Sequence, residues 1–481
     1  MDKLNEVYIT RINTFFPNEP ISNNEMEGVL GFAGGKPSRS RAIVLRSNGI
    51  KNRFYAIDKS GKFNYTNAQL VAKAVEGLFD GKITQDEIQL IACGTSSPDM
   101  ILPSLASMVH GELNTTGVEL ISAAGACCSG MQALKYAYYS ILCGETEMAV
   151  ATGSERVSQY LQGSKFDAEM EDLKVLEENP ILAFEKDFLR WMLSDGAGAF
   201  LLQNKPEAGH LNFKIEWIEI ASFADQLETC MYLGADKNGS EVLHSFGEMT
   251  TSDWAKKSVF AYKQDVRLLG ENIVPVGAKW MRGVLDKRNV SADDVDHFLP
   301  HLSSMFFWKK IFDEMHVHDM VIPESKWFVN LPEVGNVGAA SAYAMLDGLS
   351  KNVALEKGQK VMLFVPESAR FSYSIVYLTV VWLAFFRSLC FRSCFRFPLT
   401  LLNVASCFCF LDDTQFVVRF AMNSVKKLYH KVAQRSSKFH KAVGISITEI
   451  LCYPCFRAAA TGIKEFLKEF SKFHKVVFKL R

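Results

Sequence analysis

Residues Ala123 to Met131, Ala-Ala-Gly-Ala-Cys-Cys-Ser-Gly-Met, set two adjacent cysteines, Cys127 and Cys128, between an apolar β-like run (Val118, Leu120, Ile121) and a helical pattern (Met131, Leu134, Ala137, Tyr138, Ile141). A thiol at such a junction sits at a helix N-terminus, where unpaired backbone N–H groups and the positive end of the dipole favour thiolate. Its small neighbours admit an acyl group and backbone donors to the sulfur. Taken alone, the stretch reads equally well as two buried structural cysteines, because free Cys is among the most buried residue types. Two further side chains suit the first reading: His301, in Leu299-Pro300-His301, and Asn336, in Gly335-Asn336-Val337-Gly338. Cysteine, histidine and asparagine together serve acyl-thioester chemistry. The thiol carries the acyl group, and the other two donate hydrogen bonds to the carbonyl oxygen of a second thioester as it becomes an enolate. Singly, a histidine in an apolar run is more often a core or surface residue, and Asn beside Gly a turn residue.

The elements that must deliver these side chains alternate between strand and helix. Val7 to Ile12 reads as a first strand, and Ser22 to Glu27 has the cap-then-acid pattern of a helix start. Asn67 to Leu78 is amphipathic, with Leu70, Val71, Ala74, Val75 and Leu78 on one side. Strands at Ile88–Cys93, Val118–Ser122 and Met148–Thr152 alternate with helices at Pro103–Leu113 and from Met131 onward, and Gly153-Ser154-Glu155 follows the last strand. Such alternation predicts a largely parallel sheet covered by helices, with chemistry at the strand ends. Lys165 to Leu189 is a charged excursion, after which Trp191 to Leu202 carries Ser194-Asp195-Gly196-Ala197-Gly198-Ala199 into a strand against a neighbour that leaves no room for side chains. Gln203 to Leu211 reads as a linker. Beyond it the order recurs: Phe298–Leu299, the Pro300-His301 turn and the helix Met305–Phe312 echo the elements around Thr95. Asn330–Ala340 with the helix Ala342–Leu349 echoes the cysteine loop. If the halves are related by a pseudo-two-fold, His301 and Asn336 arrive at strand ends facing Cys128.

Composition divides the chain differently. The 481 residues carry 53 Lys+Arg and 53 Asp+Glu, with 48% hydrophobic content, enough for a substantial core. Residues 381–481 hold about 17 basic against about 5 acidic residues, leaving about 36 against about 48 before them, so an acidic part precedes a basic one. Cys93, Cys127, Cys128, Cys143 and Cys230 have neither disulfide-like nor metal-like spacing, and Met1 to Ile9 lacks an apolar signal core, so a reducing, cytoplasmic setting is expected. Arg41, Arg46, Lys51 and Arg53 lie in a basic run that reads either as a solvated face or as a site for cofactor phosphates. In the basic part, Trp382–Phe397 and Phe397–Leu411 fall short of the ~20 apolar residues of a membrane span. Ile463, Phe466, Leu467, Phe470 and Phe473 form one face of a basic amphipathic helix, opposite Lys464, Lys468 and Lys472. The abrupt compositional break favours read-through past an ancestral stop over a membrane-surface or partner-binding tail. Cys452 and Cys455 lack the second pair that a zinc site needs.

Four motifs, Gly125 to Met131, Asp195 to Ala199, Leu299-Pro300-His301 and Gly335-Asn336-Val337-Gly338-Ala339-Ala340-Ser341, together resemble the 3-oxoacyl-[acyl-carrier-protein] synthase III family (beta-ketoacyl-ACP synthase III) of the thiolase fold, over about residues 5 to 380. Within it the chain is most similar to ketosynthases of aryl-polyene, flexirubin and dialkylresorcinol pathways. The resemblance implies an α/β, thiolase-like fold of two pseudo-repeated halves in a five-layer αβαβα arrangement. Residues 1–205 are expected to form the half carrying the nucleophile, 206–380 the half carrying His and Asn, and 381–481 an extension outside the family. It implies Cys128 as the nucleophile, with Cys127 its buried neighbour, and His301 and Asn336 as the enolate-holding pair. Pro366-Glu367-Ser368-Ala369-Arg370 stands where a Gly-rich loop normally supplies a backbone oxyanion donor, so an N–H of Ser368 or Ala369 is expected to serve, with Glu367 either an exposed loop acid or a base. Arg46 and Arg53 are the expected substrate-binding cations. Ser47-Asn48 replaces the usual Arg-Thr of the cofactor loop, which admits an acyl carrier protein instead of coenzyme A as donor.

The implied reaction is acyl transfer onto Cys128, then Claisen condensation with a malonyl- or 3-oxoacyl-thioester, in fatty-acid or aryl-polyene/dialkylresorcinol-type biosynthesis. Alternatives are a long-chain acyl–acyl condensing enzyme and a non-catalytic ketosynthase-like partner subunit. Coenzyme A or carrier-protein thioesters enter as substrates, with no tightly bound cofactor and no metal. A homodimer is expected, with no nucleic-acid partner and membrane contact only through the extension. Lys256, Lys257, Arg282, Lys309 and Lys310 are candidate docking residues for an acidic carrier protein.

Overall fold

Apolar strands separated by capped amphipathic helices organise the chain. In place of the largely parallel sheet that the alternation predicts, five of the eight pairings in the main sheet are antiparallel, because strands enter it from both halves and return in the opposite direction. A computed structural model describes residues 4–38, 41–166, 189–237 and 242–382. Most of the charged excursion and the basic extension, with Cys452, Cys455 and the amphipathic stretch 463–473, lie outside the described residues. The first half contains β1 (Tyr8–Phe15), α1 (Asn67–Glu76), β2 (Leu90–Thr95), α2 (Leu105–Leu113), β3 (Glu119–Ala124), α3 (Ser129–Cys143), β4 (Met148–Glu155) and β5 (Gly196–Gln203). The second contains β6 (Leu211–Ser222), α4 (Val266–Arg288), β7 (His297–Pro300), α5 (Phe306–Val317), α6 (Ser341–Asn352), β8 (Lys360–Glu367) and β9 (Ser372–Trp382).

The nine strands are ordered β7-β8-β9-β6-β1-β5-β4-β2-β3. From either outer edge the same plan appears. In the first half the order is third, second, fourth, fifth, first. In the second half β7, β8, β9 and β6 repeat it, with the third strand reduced to one parallel bridge between Phe298 and Trp327. Directions repeat too: β2 is parallel to β3 and β4, and β7 to β8, while the fourth, fifth and first strands of each half run antiparallel. The halves join where Tyr8 and Ile9 of β1 pair with Lys214 and Phe213 of β6.

Side-chain alternation along the strands creates the layers. Leu90 and Ala92 of β2 and Val361, Leu363 and Val365 of β8 share one central core with Met131 and Leu134 of α3 and Leu346 of α6. Ile91 and Cys93 turn outward to α1 and α2, and Met362 and Phe364 turn outward to α4 and α5. The result is the five-layer αβαβα arrangement. At its centre the Tyr343 hydroxyl donates to the Gly130 carbonyl across the two buried helices at 2.8 Å.

Several elements form for local reasons. Thr66 caps α1, accepting from the Gln69 N–H while the Gln69 side chain returns to the Thr66 N–H. Asp265 caps α4 by accepting from Leu268 N–H at 2.8 Å, and left-handed Asn289 ends it. Three elements, β6, α4 and β8, go beyond those the sequence pattern proposes. In α4 the signal is diluted by Pro275, Gly270, Gly277 and Gly283, residues that disfavour isolated helix. Burial of Leu269, Ile273, Val274, Ala278, Met281 and Leu285 overrides that weak propensity.

Contact between the halves is close enough to require glycine. A Cβ on Gly130 would sit 2.3 Å from the Ala339 carbonyl oxygen, and one on Gly153 2.1 Å from the same atom. Gly130→Ala should therefore destabilise the protein by about 1–3 kcal/mol through overpacking, read as a lower urea midpoint with little change in slope.

Candidate active site

The N-terminus of α3, the loop after β7, the turn before α6 and the end of β8 converge on one cavity of about 930 Å3, including space open to solvent. Cys127, His301, Asn336, Glu155 and Ser368 all line it. Cys128 is not among the lining residues. Its side chain is fully enclosed (0% exposed against 8% for Cys127), and its Sγ donates to the Val365 carbonyl at 3.3 Å in the central core. Of the two adjacent thiols, Cys127 and not the expected Cys128 is thus the one on the cavity. The chain turns into α3 here, so the two neighbouring side chains point in different directions, and it is Cys127 that meets the cavity.

The same alternation sorts the end of β8. Phe364, Pro366 and Ser368 face the cavity, whereas Val365 lies in the central core. Glu367, expected as an exposed loop acid or a base, is buried at the strand end, is not a lining residue, and has the Cys128 backbone N–H against its carboxylate. Burial raises its pKa. The Cys128 N–H is therefore taken up by the Glu367 carboxyl. No backbone partner takes the N–H of Ser368 or Ala369 among the described residues, and Ser368 is the one at the cavity. The Ala369 carbonyl accepts from the N–H groups of Cys230 and Met231.

Electrostatics here are dominated by loss of water. Burial pushes the His301 ring down to about 4, so it is neutral at physiological pH. Both thiols are pushed up by burial and then by Glu367, with Glu155 adding to the effect on Cys127. Burial thus opposes the thiolate that the helix N-terminus favours. Asn336 is clamped by its backbone: its N–H donates to Met192 O at 3.0 Å and its carbonyl accepts from Ser194 N–H at 2.9 Å. Its Oδ1 accepts from Gly338 N–H at 3.0 Å, which leaves the amide NH2 as the donor available to a substrate oxygen.

Of the two expected substrate-binding cations, Arg53 does not face solvent. It is fully buried, donating to the Trp191 carbonyl and to Asn23 Oδ1, and cannot reach a cofactor phosphate. Arg46 is exposed on the helix Arg41–Asn48 and has no acidic partner among the described residues. Among the candidate docking residues, Arg282 and Lys309 pair with Asp286 and Asp313 one turn along their own helices, and Lys310 lies over the Phe306 ring.

Two cavity residues were not singled out as functional from sequence. Glu155, at the end of β4, accepts from Ser96 Oγ and Ser97 Oγ, both at 2.6 Å, and from Ala339 N–H at 3.1 Å. Tyr262 contacts Ser96 Oγ at 3.1 Å through its hydroxyl. The available signal was an acid closing an otherwise uncharged strand, Met-Ala-Val-Ala-Thr-Gly-Ser-Glu.

The repeated halves define a thiolase-like fold, with a thiol, an imidazole and an amide lining one cavity. Residues 80–208 match the model for the beta-ketoacyl synthase N-terminal domain, and residues 285–367 that for the 3-oxoacyl-[acyl-carrier-protein (ACP)] synthase III C terminal. The beta-ketoacyl-[acyl-carrier-protein] synthase III of Clostridium acetobutylicum is 22% identical over 365 residues, covering 75% of this chain and 94% of its own. The solved 3-oxoacyl-[acyl-carrier-protein] synthase III of Aquifex aeolicus VF5 superposes with a TM-score of 0.56 at 19% identity, covering 78% of this chain and 99% of its own. OleA from Xanthomonas campestris with bound lauric acid and lauroyl-CoA gives 0.60 at 18%, with coverage of 78% and 99%. Over these residues the chain is similar to the 3-oxoacyl-[acyl-carrier-protein] synthase III family.

Burial also raises two carboxyls, Glu155 to about 7 and Asp195 to about 6. A folded-state pKa above the unfolded value means that the stability from holding the proton is complete below the usual carboxylate range and is lost as pH rises through about 6 and about 7. Urea midpoints should fall from pH 5 to pH 8, and the fall should be smaller in Glu155→Gln and in Asp195→Asn.

Proposed function

We propose that the protein is a synthase III-type condensing acyltransferase whose acyl group is carried by Cys127. The observation that carries this reading is that Cys127, His301 and Asn336 line one cavity, with the Cys128 thiol turned to Val365. The Cys127 sulfur attacks the carbonyl carbon of an acyl thioester. A C–S bond forms to Cys127, the donor's C–S bond breaks, and the thiol proton leaves with the donor thiolate. Neutral His301 is suited to relay that proton. A malonyl thioester then loses carbon dioxide, and its enolate oxygen takes hydrogen bonds from the His301 ring N–H and the Asn336 amide. The carbanion forms a C–C bond to the acyl carbon as the Cys127 C–S bond breaks, while the Ser368 N–H supports the tetrahedral oxyanion.

The cavity also suits an acyl chain. Leu269, Ile273, Val274, Ala278 and Met281 line it from α4, and Phe307, Ile311 and Met315 from α5. Leu269 to Met281 run about 18 Å along the helix at ~1.5 Å per residue, which fits a long linear chain. That depth favours the second reading, condensation of a long acyl chain with a second acyl or 3-oxoacyl thioester. Burial of Arg53 supports acyl carrier protein as donor over coenzyme A, whose phosphates would retain only Arg46 of the expected pair.

The homodimer is part of the same reading. β3 lies at the sheet edge, and Met100, Ile101 and Leu102 are exposed in succession, Leu102 at 82%. An unpaired strand edge beside an apolar loop fits a second copy of the chain. Leu102→Glu should shift the protein toward monomer in sedimentation velocity.

Intact-protein mass measurement after incubation with acyl thioesters tests the chemistry. One acyl adduct is expected, lost in Cys127→Ala and kept in Cys128→Ala. An adduct that survives Cys127→Ala refutes the assignment of the nucleophile, and absence of any adduct from a panel of coenzyme A and carrier-protein donors refutes the acyltransferase reading. Product masses with malonyl against 3-oxoacyl donors separate the two condensations.

A further inference from the structure

Glu155 is a fully buried carboxylate at the cavity whose contacts divide cleanly between its two oxygens. Oε1 accepts only from backbone N–H groups, Ser96 at 3.3 Å and Ala339 at 3.1 Å. Oε2 accepts only from hydroxyls, those of Ser96 and Ser97 at 2.6 Å. Ser96 Oγ in turn meets the Tyr262 hydroxyl, and Ser97 Oγ accepts from the Arg156 N–H at 2.7 Å. A carboxylate held by four donors is fixed in place, and its lone pairs are already engaged. It is poorly arranged to swing toward a substrate and well arranged to hold something still.

What it holds belongs to the other half of the molecule. Ala339 N–H and the adjoining Gly338 form the turn that follows Asn336. Gly338 has a φ of +46°, and a Cβ there would lie 2.6 Å from Glu155 Oε1, so the carboxylate is packed directly against the turn backbone. The Gly338 N–H is also the group that holds Asn336 Oδ1. A chain of contacts therefore runs from Glu155 through Ala339 and Gly338 to the amide that faces the cavity. We infer that Glu155 is a positioning residue: anchored on β4 of the first half, it fixes the 336–340 turn of the second half and so aims the Asn336 amide at the substrate oxygen. This rests on the reading of Asn336 as an enolate donor.

The role requires an acceptor at Oε1 and no negative charge. Glutamine fits the same geometry, with its carbonyl oxygen taking the two backbone N–H groups and its NH2 facing hydroxyls that rotate to accept. Alanine supplies neither. Transfer of an acyl group to Cys127 does not use Asn336, whereas condensation does, so the two half-reactions separate the effect. In single-turnover measurements Glu155→Ala should acylate Cys127 within about threefold of wild type and condense on the order of 10²-fold more slowly, the loss expected when a reacting group is displaced by about 1 Å. Glu155→Gln should restore condensation to within about threefold. In an Asn336→Ala background, Glu155→Ala should add no further loss.

The inference is overturned if Glu155→Gln condenses as poorly as Glu155→Ala, which would make the charge or a proton transfer the function. It is also overturned if acylation and condensation fall together, or if the effects of Glu155→Ala and Asn336→Ala multiply. A urea-unfolding cycle between Glu155→Gln, Glu155→Ala and Asn336→Ala reads the coupling without substrate. Non-additivity with Ala but not with Gln supports the inference, and additivity in both overturns it. Because that cycle needs no turnover, a wild-type protein that forms no acyl adduct would refute the proposed function while leaving the positioning role to be decided by stability.

Discussion

The Ala339 carbonyl oxygen, wedged against Gly130 of helix α3 and Gly153 of strand β4 in the other half, is the contact on which the site depends. Neither glycine can carry a side chain without displacing backbone, and a backbone atom cannot rotate away as a side chain would. The two buried helices α3 and α6 are thereby held with their N-termini side by side, and the Tyr343 hydroxyl on the Gly130 carbonyl locks the same crossing. Since α3 opens at Cys128 and α6 follows the turn carrying Asn336, this one contact determines how far the thiol lies from the amide. Close packing of this kind transmits strain, which is why a site assembled from two halves can be rigid without a metal or a disulfide among its described residues to staple it.

Around that contact the physical character of the cavity is uniform. Desolvation keeps the His301 ring neutral, keeps both thiols protonated and raises Glu155 and Glu367. A low-dielectric pocket of neutral donors suits chemistry in which negative charge appears only transiently on an enolate or a tetrahedral oxyanion. The resting site then has little charge of its own to oppose that development. The two buried carboxyls stand apart from this role: Glu155 is committed to four donors, and Glu367 sits behind the strand against the Cys128 N–H.

Much of this was readable from residue order. Fully apolar short strands such as Leu90–Thr95, the capped amphipathic helix at Asn67 and the recurrence of strand, turn and helix around His301 each follow from patterning, and the topology repeats as that recurrence predicts. The helix Val266–Arg288 is hidden in the sequence because Pro275 and three glycines mask its period, and packing against Phe364 and Tyr373 compensates for them. Arg53 looked like a phosphate ligand because its basic neighbours suggested a surface. The β-strand pair it belongs to turns its guanidinium inward onto the Trp191 carbonyl.

The residue types that make acyl-thioester chemistry feasible, and the small residues that let their loops approach, are properties of the linear chain: cysteine at a helix start, histidine after Leu-Pro, asparagine in a glycine-rich turn. Only the tertiary structure distinguishes the surroundings of Cys127 from those of Cys128. Both occupy the same small-residue context, and successive residues entering a helix are rotated by roughly 100°, so their chemistry differs only through what stands opposite each side chain. One meets the cavity, the other the Val365 carbonyl. The part played by Glu155 was hidden for the same reason. Its partners Ser96 and Ala339 lie 59 and 184 residues away in sequence, and only the folded crossing of the two halves brings them to one carboxylate.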